Sequence, residues 1–205
     1  MTKWTSALVL TLWVVVCTTG QDPQDPKKEK PKPYFPLGPA MSWTYDSPDG
    51  QFTLKAVKEE TIGDEKQCIL VETLKGGKAI ANEHFKVVAD DGVYRVALMG
   101  EAYSPKMLLL PSDDSKSEWE AKSKVTGLEV NLKFKRSPEK EITVGKTKYK
   151  AIKVEATMVP PENATEKKPA FKIEYYYARG VGMVRQVVHK GSQKIEINLV
   201  KHTKP

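Results

Sequence analysis

Apolar and polar side chains alternate in steps of two from residue 40 to residue 205, and few folds accommodate that pattern. Phe52, Leu54 and Ala56 fall on one side of their segment, with Thr53, Lys55 and Val57 on the other. Leu128, Val130, Leu132 and Phe134 alternate with Glu129, Asn131, Lys133 and Lys135, and Ile152, Val154, Ala156 and Met158 with Ala151, Lys153, Glu155 and Thr157. Phe171, Ile173, Tyr175 and Tyr177 repeat the pattern near the end. A period of two marks strands with one buried and one wet face. Turn residues sit between the runs: Ser47-Pro48-Asp49-Gly50, Lys75-Gly76-Gly77-Lys78, Asp90-Asp91-Gly92, Val144-Gly145-Lys146 and Lys190-Gly191-Ser192.

The segmentation predicts about ten strands, at 42–46, 51–59, 67–74, 79–89, 93–99, 117–125, 127–136, 147–159, 170–178, 183–190 and 193–201. No stretch of ten residues carries a helical period. Short turns make sequence neighbours pair antiparallel. The fold class is therefore all-β: an antiparallel up-and-down meander. With no helix to cover its apolar face, the sheet must curl into a curved sheet, a half-barrel or a barrel. A domain of this size buries roughly 70% of its unfolded surface, so it needs no disulfide.

Ahead of this domain the chain changes character twice. Residues 1–20 read as a signal peptide: Lys3, then an apolar run from Ala7 to Val16 that is too short to span a bilayer. Two processing routes fit. A peptidase cuts after Gly20, with Thr18 and Gly20 as its small residues, or Cys17 is the lipidation site and becomes the acylated N-terminus. Residues 21–39 hold six prolines and read as an extended Pro/Lys-rich linker outside the core. The single β domain is expected over 40–205.

Two segments break the alternation. Residues 100–116 carry Met107-Leu108-Leu109-Leu110 between Pro105 and Pro111 and read as a loop, either a lid or membrane-touching protrusion or a plug folded into the open end of the sheet. Residues 159–169 form a polar, Pro-rich excursion containing the sequon Asn163-Ala164-Thr165.

Most chemistries find no residues to carry them. The chain has 2 Cys and 3 His, and His84, His189 and His202 are isolated from one another, so no metal site is expected. Cys68 lies mid-strand, without a resolving partner, and reads as a small buried hydrophobe. No serine sits in a nucleophile elbow, and the Glu59/Glu60 and Glu118/Glu120 pairs lie among lysines. Gly180-Val181-Gly182 leads from strand to strand, which makes it a turn and not a phosphate loop. A non-enzymatic protein without cofactor is expected, with an unrecognised hydrolase as the outlying alternative. The net charge of +7 is spread over lysines that alternate with Glu and Thr, a solubility pattern and not a nucleic-acid stripe.

The aromatic residues are the remaining signal. Trp43, Tyr45, Phe52, Trp119, Phe134, Tyr149, Phe171, Tyr175 and Tyr177 are placed to share the inside of the curved sheet, either as plain core or as the wall of a cavity. The ligand-binding candidates are Trp43, Phe52, Trp119, Phe134, Tyr175 and Tyr177, with Met107, Leu108, Leu109 and Leu110 as the lid.

The stretch Tyr175-Tyr176-Tyr177-Ala178-Arg179-Gly180-Val181-Gly182-Met183-Val184-Arg185 resembles the penultimate hairpin of uncharacterised bacterial exported and lipoprotein-like β-proteins. The plan of signal, tether and meander is similar to that of the LolA/LolB-type lipoprotein carriers. That resemblance implies a periplasmic or cell-surface setting and a lipid-like ligand, and it supplies no catalytic residue. The expectation is an exported envelope protein binding a hydrophobic or lipid-like ligand, with membrane contact at most peripheral or through a lipid anchor. The rival is an interaction or scaffold module with a fully packed core, meeting another envelope protein.

Overall fold

A computed structural model describes residues 31–160 and 171–204, and all regular structure in them is β. The strands are β1 (Ser42–Asp46), β2 (Phe52–Ile62), β3 (Glu65–Lys75), β4 (Lys78–Val88), β5 (Gly92–Leu98) and β6 (Glu101–Pro111). They continue as β7 (Glu118–Val125), β8 (Leu128–Arg136), β9 (Lys140–Val144), β10 (Thr147–Met158), β11 (Lys172–Ala178), β12 (Gly182–Lys190) and β13 (Gln193–Thr203). Each pairs antiparallel with its neighbours, β13 pairs with β1, and β10 with β11. Together these pairings close the sheet, giving an up-and-down barrel of twelve strands.

The thirteenth strand, β9, continues β8 along the same edge of β10. Residues 132–136 pair with the far half of β10 and residues 140–144 with its near half. Between them Ser137 N–H donates to Lys153 O at 2.8 Å, and Pro138 has no N–H to lose. The wall is thin at one place only in its ladder: β6 and β7 share the single register pair Ser104–Lys124. Side chains stitch this seam, with Ser123 Oγ donating to Pro105 O (2.6 Å) and Trp119 Nε1 to Leu108 O (3.4 Å).

The alternation decides which face is which. Inward positions hold Trp43, Tyr45, Ala56, Val71, Phe85, Met107, Trp119, Phe134, Val154, Tyr177 and Val184, all buried. The outer wall carries pairs such as Lys133–Glu120 (3.3 Å) and Lys135–Glu118 (3.1 Å). A membrane-spanning barrel needs an apolar band outside, so this barrel has the opposite polarity.

Three segments differ from the sequence expectation, the first being β9, which forms over Lys140–Val144 where no strand is expected. Most of the expected loop 100–116 is strand β6, and Met107, Leu109 and Leu110 are buried wall residues, not a lid. A β-bulge hides the period here: Val93 pairs with Leu110 and Tyr94 with Leu108, which leaves Leu109 as the extra residue. Four apolar side chains in a row thus serve both faces, with Met107, Leu109 and Leu110 buried and Leu108 half-buried.

The expected linker 21–39 also gives up its last residues to the core. From Pro31 the chain lies on the barrel as a strap, with Tyr34 8% exposed and Phe35 and Leu37 packed on the core. The signal segment, the cut after Gly20, the candidate lipidation site Cys17 and the sequon lie outside the described residues.

Candidate functional site

Twelve strands enclose more width than side chains fill as readily as in an eight-stranded barrel. The interior is solid on one side and hollow on the other. The hollow part is a cavity of about 210 Å³, walled by β1–β6, β11 and β12 and by the strap. Of the ligand-binding candidates, Trp43, Phe52, Leu109, Tyr175 and Tyr177 line it. Met107, Leu108, Leu110, Trp119 and Phe134 do not. Trp119 and Phe134 stack on one another with centroids 5.1 Å apart, filling the solid side. Of the other aromatics, Tyr149 is half-buried against the core and Phe171 lies just ahead of β11.

Each wall residue is there for a local reason. Trp43 and Tyr45 alternate along β1; Trp43 Nε1 donates to Val181 O (2.6 Å) and Tyr45 Oη to Met183 O (2.9 Å). Burial alone pushes the Tyr45 phenol far above its ordinary pKa. Tyr45 stacks on Phe52 (5.4 Å) and Tyr175 on Tyr177 (5.9 Å). Gly182 is held at φ +101°, and a Cβ there would come within 3.1 Å of Trp43 Nε1. The glycine is what lets the β11–β12 turn close down on Trp43 and Pro36.

The strap forms the remaining wall. Phe35 packs against Phe85 (5.7 Å) and edge-on to Tyr177 (5.8 Å). It is clasped from outside: Gly180 N–H donates to Pro33 O (2.8 Å), and Arg179 donates to Lys32 O (3.1 Å) and pairs with Asp114. The Arg179 guanidinium lies 3.9 Å from the Tyr34 ring centre, and Tyr34 Oη donates to Glu139 Oε2 (2.9 Å). Burial, then the Glu139 hydrogen bond, raise the Tyr34 pKa.

Sequence reading missed the polar residues of the cavity: Arg95, Glu83, Thr73 and Gln186. The signal existed, since Arg95 is in phase with buried Val93 and Glu83 with buried Phe85. Charged residues in such positions read as wet face unless the strand's phase is trusted over polarity. Arg95 Nε lies 3.1 Å from Glu83 Oε2, and the guanidinium sits over the Phe85 ring at 5.8 Å. Burial opposes the Arg95 charge most strongly, but the Glu83 carboxylate together with the phenols of Tyr175, Tyr103 and Tyr177 outweighs it and raises the pKa. Burial raises the phenols of Tyr103 and Tyr175, and the neighbouring Arg95 charge partly offsets this.

Outside the barrel, Cys68 is fully buried, its thiol pKa raised by burial, and Sγ lies 3.4 Å from Glu65 O. Glu65, at the β2–β3 turn, reaches Lys86 of β4 (2.6 Å) and Lys106 of β6 (2.7 Å) across the intervening β5. His84 is buried with Nε2 2.7 Å from Glu60. No group of three or more metal-ligating residues forms among the described residues.

No protein-family model and no curated protein matches the chain. Two crystal structures do. A "putative lipoprotein" from Parabacteroides distasonis superimposes with a TM-score of 0.50 at 10% identity, over 85% of this chain and all of that one. A "putative exported protein with YmcC-like fold" from Bacteroides fragilis gives 0.46 at 12% identity, over 84% of this chain and all of that one. At such identities the first likeness shows the fold alone.

Proposed function

We propose that the protein is a non-enzymatic bacterial envelope protein, exported through residues 1–20, that binds a hydrophobic or lipid-like ligand inside its barrel. The observation that carries this is the cavity of about 210 Å³, walled mainly by Phe, Tyr, Trp and Leu side chains. Ligand sites are apolar hollows with a few placed polar groups, and this one has Arg95, Glu83, Thr73 and Gln186. The scaffold alternative calls for a fully packed interior, which the hollow disfavours. Export is supported by the signal-like N-terminus, and the Parabacteroides protein of the same fold carries the description "putative lipoprotein".

Titration with the small neutral apolar dye 1-methylnaphthalene, followed by its fluorescence, tests the reading. Saturable binding at one site per chain is expected, lost in Leu54→Trp, which fills the cavity. An absence of saturable binding to the wild type would overturn it.

A further inference from the structure

We propose that the cavity selects ligands bearing a carboxylate head, held by Arg95, with a short apolar tail lying along the aromatic wall. This rests on the reading of the cavity as a ligand site and adds the chemistry of what it takes.

Arg95 is the one cation and Glu83 the one acid among the residues lining the cavity. A guanidinium carries five N–H donors in a planar fork. Here Glu83 stands beside only one of them, Nε, and that atom is buried without a hydrogen bond among the described residues. The buried Nε of Arg95 is a donor without an acceptor, which an anionic head supplies and an ammonium head does not. A carboxylate matches the fork with two parallel, charge-assisted hydrogen bonds. The hydroxyl of Tyr175, which lines the cavity beside Arg95, can donate to the same head.

Glu83 has a second consequence. Its carboxylate balances the Arg95 charge without a ligand and repels an incoming anion, so it weakens anion binding. The tail faces Phe52, Leu54, Val71 and Phe85. At about 210 Å³ the cavity lies below the roughly 300–1,000 Å³ usual for ligand pockets, so the fitting tail is short.

Calorimetric titration of the full mature chain with octanoate, octan-1-ol and octylammonium, all below micelle formation, decides the matter. Octanoate is expected to bind at least about tenfold tighter than the alcohol, with the ammonium weakest. Arg95→Met should abolish the preference, and Glu83→Gln should strengthen octanoate binding several-fold. Circular dichroism and thermal unfolding check that each variant folds. If Arg95→Met does not fold, Glu83→Gln carries the test, and an unchanged octanoate affinity in it overturns the proposal. Octan-1-ol binding as tightly as octanoate would overturn the head-group assignment while leaving the apolar site standing. If neither the three probes nor the neutral dye bind, both fall together.

Discussion

The two sides of the barrel interior obey one sequence rule and end differently. On the solid side, β6–β8 and β10 contribute Met107, Trp119, Ala121, Phe134 and Val154, all 6% exposed or less, with the two rings stacked face to face. On the hollow side, inward positions of β3, β4, β5 and β12 go to Thr73, Glu83, Arg95 and Gln186, and the strap supplies part of the wall. The backbone is weakest where packing is best, since the β6–β7 seam has one register pair and relies on Trp119 and Ser123. The solid side holds the barrel closed. The hollow side is then free to carry polar groups and a space that a purely structural core would fill.

That contrast can be broken first where it is strongest. Phe134→Ala removes half of the stacked pair and should cost about 3–5 kcal/mol of unfolding free energy, read by urea titration. Phe35→Ala, on the hollow side, deletes a side chain that already borders open space and should cost less, about 1–2 kcal/mol, through its contacts with Phe85 and Tyr177. The same variant should bind the neutral dye more tightly, because the strap no longer fills the cavity's edge. A Phe35→Ala cost equal to that of Phe134→Ala would erase the distinction.

Smaller effects sharpen it. Tyr45→Phe removes the donor to the Met183 carbonyl and should cost about 1–2 kcal/mol. Outside the barrel, Glu65 has its pKa lowered by hydrogen bonds from Lys106 and then Lys86. A carboxyl with a depressed folded-state pKa stabilises the fold above the unfolded value of about 4.3, and that contribution is lost as pH falls through the folded value. Glu65→Gln should therefore flatten stability between about pH 5 and pH 3, while changing it at pH 7 by under about 1 kcal/mol, because the pair is partly solvated.

The alternation carried most of the fold. Every segment expected as strand forms one, because a period of two survives wherever a strand keeps one wet face. It failed where both faces are apolar, at Met107–Leu110, and where a bulge adds a residue, so β6 passed for a loop. Closure into a ring depends on the pairing of β13 with β1, from opposite ends of the domain, and of this no local residue gives notice. The aromatic candidates divided by strand position: Trp43, Phe52, Tyr175 and Tyr177 reached the cavity, while Trp119 and Phe134 went to the solid side. Phe35 and Leu37 were hidden by the prolines around them, which mark an extended segment whether or not it lies on a core.

The central claim is that the hollow side is a ligand site, and native mass spectrometry tests it most directly. The protein would be expressed with its own first twenty residues, recovered from membrane and soluble fractions, and weighed before and after organic extraction. The account predicts an added mass, removed by the solvent, that belongs to a small amphiphile and is absent from Leu54→Trp. A chain of bare calculated mass in both fractions, unchanged by extraction and by added octanoate, would contradict it.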